Sequence, residues 1–131
     1  MAKIKSYTDL EQSKKLAEFL PLESADMCWV SCDNGNEKYF RAENRRIILN
    51  YEKKHWIPCW SLAALLDIIP QEIFDGEYII NITEGWDVKW ALTYDHCKNK
   101  NHSFYGLSSN ADNLVDVCYE LILKLYERKM L

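Results

Sequence analysis

The sequence predicts an α+β fold: an antiparallel sheet of about five to six strands with three helices, in the order α-β-β-β-α-β-β-β-α. Capped amphipathic segments lie near both ends and in the middle of the chain, and short apolar segments bounded by turn residues lie between them. One longer segment, residues 78–95, alternates large apolar and polar side chains. Together these observations favour helices packed on antiparallel strands.

Length and composition favour a single domain, residues 1–131. The chain has 131 residues, 48% hydrophobic and 27% charged, which suits one globular core. It has no apolar leader and no run long enough to span a membrane, so we expect a cytoplasmic protein without membrane contact. Five cysteines in such a chain favour reduced, packed thiols over a disulfide framework.

The first helix is predicted to begin after Thr8 and to end near Pro21. Thr8 and Glu11 have the T-x-x-E spacing of a capping box, and apolar residues follow at helical spacing. Short apolar segments around the turn sequence DNGN then predict two or three antiparallel strands. These segments are MCWVSC (27–32), KYFRA (38–42) and IILNY (47–51).

The segment HWIPCW, residues 55–60, places His55 four positions before Cys59, the spacing of a base and a nucleophile on one helical face. Pro58 prevents that geometry because it lacks an amide proton and disfavours helical dihedrals at the preceding residue. In an extended segment the two side chains are roughly 13 Å apart, at ~3.3 Å per residue. A local Cys-His pair is therefore excluded if the segment is extended.

A helix is predicted directly after this segment. Ser61 is a suitable N-cap for LAALLDII, and Pro70 ends the helix. Trp60 precedes the cap and Leu65 is the fourth helical residue, which is the pairing of a hydrophobic staple. We therefore expect Trp60 to be buried and to fix the direction in which the chain enters the helix.

Residues 78–95 predict a β-hairpin. A three-residue loop, Glu84 to Trp86, keeps the large apolar side chains on one face. The predicted pairs are Ile82 with Val88, Ile80 with Trp90 and Tyr78 with Leu92. The segment HSFYGL, residues 102–107, predicts a further strand.

The last element is predicted to be a helix from about Ala111 to Lys129, capped by Ser109 or Asn110. Its apolar arc is wide enough to cover a sheet and to leave a second apolar stripe beside it. This stripe consists of Tyr119, Leu123, Tyr126 and Met130. Either the first helix covers it, or it forms a dimer or partner interface.

Charge is unevenly distributed along the chain. Residues 37–55 carry six basic and three acidic side chains, whereas residues 56–131 carry six and eleven. The basic residues that could bind an anion are Arg41, Arg45, Arg46, Lys53 and Lys54. Nucleic-acid binding is disfavoured because such proteins usually have a denser basic face, and a solvated charged hairpin explains the pattern more simply.

Few residues are candidates for catalysis. Cys59 lies just before a helix start, where peptide dipoles can lower the pKa of a thiol, and His96 or His102 could approach it through the fold. His96, Cys97 and His102 share a loop but lack the paired Cys-x-x-Cys spacing of structural zinc sites. Known phosphate-loop, hydrolase and calcium motifs are absent. We therefore expect no metal and no cofactor.

Three stretches, residues 6–27, 58–70 and 112–131, resemble small uncharacterised proteins of gut anaerobic bacteria and of their phages or mobile elements. That group has no assigned activity, so the resemblance implies an accessory protein of bacterial or phage origin and transfers no catalytic residues. The favoured function is a non-enzymatic protein-interaction module that binds a protein partner or itself. The alternative is a small hydrolase or ligand-binding domain whose site, Cys59 with a distant histidine, forms only in three dimensions.

Overall fold

The computed structural model describes residues 5–33, 38–44, 56–85 and 89–131. Within these ranges the chain is α+β, with three α-helices as predicted and seven strands in two antiparallel sheets. The expectation of one sheet of five to six strands was wrong. The chain forms two compact units, residues 6–64 and Lys5 with residues 65–131. That it is a single domain stays a prediction.

The first unit contains one helix and a three-stranded sheet in the order β2-β1-β3. Its elements are α1 (Leu10–Ala17), β1 (Met27–Asp33), β2 (Lys38–Asn44) and β3 (Trp56–Cys59). Pro58 lies in β3 opposite Cys28 and has no amide proton to donate, which confines β3 to the edge of the sheet. The sheet therefore ends at β3. The predicted strand at residues 47–51 lies outside the described residues.

The cap of α1 is shifted by one residue from the predicted position. Asp9 Oδ1 accepts a hydrogen bond from the Gln12 amide at 2.8 Å, and Gln12 Oε1 accepts one from the Asp9 amide at 3.1 Å. The predicted Thr8–Glu11 box was wrong because Thr8 is buried and bonded elsewhere. Its hydroxyl shares a 2.8 Å hydrogen bond with Ser13 and accepts from the Trp60 amide at 3.1 Å.

The extended segment before the second helix is confirmed, since residues 56–59 form β3. The cap is confirmed as well, because Ser61 Oγ accepts from the Ala64 amide at 3.2 Å and α2 (Leu62–Ile68) begins directly after it. Trp60 is fully buried, and its Nε1 donates to Ser24 Oγ at 2.9 Å. The staple contact with Leu65 stays a prediction.

The second unit contains a four-stranded sheet in the order β4-β5-β6-β7 and one helix. Its elements are β4 (Glu72–Ile73), β5 (Tyr78–Thr83), β6 (Trp90–His96), β7 (Ser109–Ala111) and α3 (Leu114–Glu127). The helix packs on β6 and β7. Its buried residues are Val115, Val117, Cys118, Leu121, Ile122 and Leu125.

The β5–β6 hairpin is present, but its predicted register was wrong by four residues. Ile82 lies opposite Leu92, and Ile80 lies opposite Tyr94. Even positions still pair with even positions, so alternation alone could not separate the two registers. In the observed register Tyr94 is fully buried, and its hydroxyl donates to the Pro70 carbonyl at 2.6 Å.

The segment before α3 differs from the prediction in two respects. Residues 102–107 form no strand: Ser103 makes one bridge to Asp95, and a 3-10 turn follows at residues 105–107. Ser109 and Asn110, the predicted caps, lie in β7 instead. The cap of α3 is Asn113, whose side chain accepts from the Asp116 amide at 2.9 Å.

Among the described residues, no helix has the length and apolar character needed to cross a membrane.

Candidate interaction surface

Among the residues that the structure describes, the outer edge of β5 is paired over its first residues and open over its last ones. β4 lies opposite Tyr78 and Ile79, and the Ile80 amide then donates to the Gln71 carbonyl at 2.9 Å. In antiparallel strands the backbone groups of alternate residues point to the same side. The amide and carbonyl of Ile82 therefore point outward, as those of Ile80 do.

The opposite side of β5 confirms this alternation. The Glu77 carbonyl accepts from the Cys97 amide at 2.9 Å, on the β6 side. Odd-numbered residues of β5 thus bond to β6 and even-numbered residues face the edge. Within the described ranges, no hydrogen bond from another residue reaches the outward amide or carbonyl of Ile82.

The side chains of β5 do not block pairing with another strand at this edge. The β5 sequence YIINIT contains no charged residue, proline or glycine, which are the features that natural proteins use to block edge pairing. Ile79 and Ile82 are 48% and 43% exposed. An uncharged segment rich in β-branched residues with an open edge is suited to pair with another strand.

A groove of about 320 Å³ runs beside the open edge. Its lining residues are Leu66, Ile69, Gln71, Ile79, Ile80 and Ile82. All but Gln71 are aliphatic, so the groove suits apolar side chains of an added strand, while the strand's backbone would bond at Ile82. We refer to the groove and the outward backbone groups of Ile82 as the β5 edge.

A second hollow, of about 270 Å³, lies on the β6 side of the same strand. Its lining residues are Ile79, Ile80, Asn81, Asp95, His96, Cys97 and Lys100. The Asp95 carboxylate accepts from Ser103 Oγ at 2.6 Å and from Asn81 Nδ2 at 3.0 Å. Burial raises the pKa of Asp95, but hydrogen bonds from these residues and Thr93 outweigh it, so the pKa is lowered overall.

The two histidines considered for catalysis, His96 and His102, lie close together at the end of β6. Their ring centroids are 6.4 Å apart. His96 Nδ1 accepts from the amides of Lys98 and Asn99 at 3.2 and 3.3 Å, and Nε2 lies 3.6 Å from Glu77 Oε1. Because both nitrogens face protein partners, His96 orders the loop that follows it. Among the described residues, no three His, Cys, Asp or Glu side chains are arranged to hold a metal ion.

Cys59 lies in a different environment from the predicted one. Its side chain is fully buried, and its thiol donates to the Thr8 carbonyl at 3.5 Å. Burial raises the pKa of Cys59, although hydrogen bonds with Thr8 and Ser13 partly oppose it. The expectation that a helix start lowers this pKa was wrong, because the cost of desolvating the thiolate is larger.

The apolar stripe on α3 is partly exposed. Tyr126 is the most exposed member, at 50%, whereas Tyr119, Leu123 and Met130 are intermediate. The buried face of α3 also includes Val117, whose carbonyl accepts a hydrogen bond from the Ser109 hydroxyl at 2.8 Å.

Of the basic residues considered for anion binding, the structure describes Arg41. Its exposed side chain forms an ion pair with Glu43. The other four, Arg45, Arg46, Lys53 and Lys54, lie outside the described residues, as does His55.

Sequence reasoning missed the β5 edge. One signal was available: Asp75-Gly76, a typical dipeptide of tight hairpins, adopts positive φ values of 54° and 85° and joins β4 to β5. Recognising that turn would have placed a short strand before β5 and left the end of β5 uncovered.

No protein-family model, curated protein or solved structure matches the chain. Function is therefore inferred from the geometry of these surfaces.

Proposed function

We propose that the chain is a non-enzymatic protein-interaction module that binds an extended polypeptide segment at the β5 edge. The observation that carries the proposal is the outward amide and carbonyl of Ile82 beside an aliphatic groove. Backbone hydrogen bonds from an added strand supply affinity, and the groove selects apolar side chains.

The three cysteines that the structure describes as buried are poorly suited to act as nucleophiles. Burial raises the pKa of Cys28 to about 11 and that of Cys118 to about 12, so these thiols stay protonated at neutral pH. Cys59 is buried with a raised pKa as well. A nucleophilic cysteine requires the opposite shift.

Photo-crosslinking tests the proposal. A photoreactive amino acid replaces Ile79, which is exposed beside the β5 edge, in the full chain expressed in bacterial cells. The matched control carries it at Glu120, an exposed position on α3. We expect discrete covalent adducts from position 79, loss of those adducts when Ile82→Pro is added, and none from position 120.

The same adducts from both positions would contradict the proposal. Adducts that persist in the Ile82→Pro background would contradict it too, because the proline removes the outward amide on which strand addition depends.

A second candidate function is the binding of a small polar ligand in the hollow on the β6 side. The observation that favours it is the convergence of Asn81, Asp95 and Lys100 on one concave surface. A thermal-shift screen with free amino acids and nucleotides tests it. A saturable increase in melting temperature that Asn81→Leu abolishes would support this function, and no increase would exclude it for those compounds.

A further inference from the structure

We infer that the polypeptide bound at the β5 edge is basic, with a lysine or arginine two positions before the apolar residue that enters the groove. This inference rests on the proposed function and names the class of its partner. The apolar residue bonds to Ile82 through the backbone, and the basic side chain pairs with the carboxylate of Glu84.

The chain itself limits where a bound strand can lie. The outward amide of Ile80 already donates to the Gln71 carbonyl, so a bound strand cannot pair with β5 before Ile82. The three ladders described in this sheet are antiparallel, and an antiparallel partner exchanges both outward bonds of Ile82 with one residue. The side chain of that residue shares the face of Ile82 and enters the groove. The bound segment therefore turns away after this residue, and its preceding residues run along the edge past Glu84.

Glu84 selects the charge of those preceding residues. It directly follows β5, two positions beyond Ile82, and its side chain is exposed. Lys89, the next basic residue along the chain, immediately precedes β6 and makes no ion pair with Glu84. The partner residue two positions before the groove residue passes this carboxylate. A basic side chain there stabilises the cross-strand pair, whereas an acidic one destabilises it.

The wider surface has the same sign of charge. Residues 65–85 include every residue that lines the groove, and they carry five acidic side chains and no basic one. All five are exposed: Asp67, Glu72, Asp75, Glu77 and Glu84. Within the described residues, Glu77 pairs with His96, and no cation lies within ion-pair distance of the other four. The surroundings of the β5 edge thus attract a basic segment and repel an acidic one.

Titration with three synthetic peptides tests the inference. The probes are acetylated and amidated Thr-Lys-Thr-Ile-Gly and its forms with Gln or Glu in place of Lys. Each is added to the isotope-labelled full chain, and the shift of the Ile82 amide in NMR spectra measures binding even when it is weak. The wild type should bind the basic peptide at least about threefold more tightly than the acidic one, as expected when an opposite-charge pair replaces a like-charge pair.

Glu84→Lys should abolish or reverse this preference. Glu120→Lys is the matched control, because it changes the net charge equally at an exposed position on α3, and it should keep the wild-type order. An equal effect of the two substitutions would overturn the inference, because the preference would then depend on net charge rather than on Glu84.

The peptides also separate this inference from the proposed function. Equal shifts of the Ile82 amide with all three peptides would overturn the inference alone and leave strand binding at the β5 edge standing. No shift with any peptide would overturn the inference as well, and the adducts from Ile79 would then decide the proposed function separately.

Discussion

Ile80 donates its amide proton to the carbonyl of Gln71 at 2.9 Å, and among the described residues no such bond is made two residues later, at the outward amide and carbonyl of Ile82. β4 and the residue before it, Gln71, therefore pair with β5 only as far as Ile80. Neighbouring residues of β5 consequently have different backbone roles, since Asn81 bonds toward β6 and Ile82 points to the edge.

Proline substitutions at these two positions should have different effects on stability. Asn81→Pro removes an amide from the β5–β6 ladder together with the side-chain hydrogen bond to Asp95, and should lower the free energy of unfolding by about 1–3 kcal/mol. Ile82→Pro removes an amide that the ladder does not use, so the loss should be smaller. Urea denaturation measures both, and equal losses would contradict the assigned alternation.

Trp60→Ala should destabilise the protein by ~3 kcal/mol or more, the usual effect of truncating a buried aromatic residue. Trp60 is fully buried and hydrogen-bonded to Ser24. Ser24→Ala is the control, because it removes that bond but keeps the ring, and should cost about 1 kcal/mol. An unchanged melting temperature for Trp60→Ala would rule out its structural role.

Asp9→Ala should cost about 1 kcal/mol, as expected for the loss of an N-cap. Glu11→Ala should cost less, because the observed cap of α1 pairs Asp9 with Gln12. Chemical denaturation of the two variants compares them directly. A larger effect for Glu11→Ala would favour the capping box that the sequence alone predicted.

Native-state alkylation should separate the cysteines by burial. Cys97 is exposed, whereas Cys28, Cys59 and Cys118 are buried. Iodoacetamide at neutral pH, followed by mass spectrometry, should modify Cys97 and leave the three buried thiols intact. Modification of Cys59 in folded protein would contradict its buried, protonated state.

The same thiols predict a loss of stability at alkaline pH. Cysteine in the unfolded chain ionises near its ordinary pKa of 9.0, but burial raises the pKa of Cys118 to about 12 in the folded state. Between these values the unfolded state releases a proton that the folded state keeps, so stability falls as pH rises. Cys118→Ala, compared with wild type by denaturation at pH 8 and pH 10.5, should show a smaller loss over this interval. An equal loss would assign the effect to other groups.

Local sequence patterns predicted the α+β fold class, the three helices, the Ser61 cap and the alternation of side chains between the two faces of the hairpin. Each of these depends on residues that are close in sequence. The cap of α1 was missed because Thr8 makes buried hydrogen bonds with Ser13 and with the Trp60 amide, and those partners are set by the fold. The division into two sheets follows from the edge position of β3, which Pro58 favours. Pro58 identifies β3 as an edge strand only when the pairing of β3 with β1 is known.

The β5 edge could not be predicted for a similar reason. It depends on the register of β5 against β6 and on the shortness of β4. Alternation leaves registers that differ by an even number of residues equivalent, and a two-residue strand has no periodicity to detect.

Amide hydrogen exchange at Ile82 tests the open edge most directly. In dilute protein, residue-resolved exchange should show a fast Ile82 amide beside a slow Asn81 amide, because Ile82 points away from the ladder and Asn81 points into it. An Ile82 amide protected as strongly as that of Asn81 would contradict the open edge.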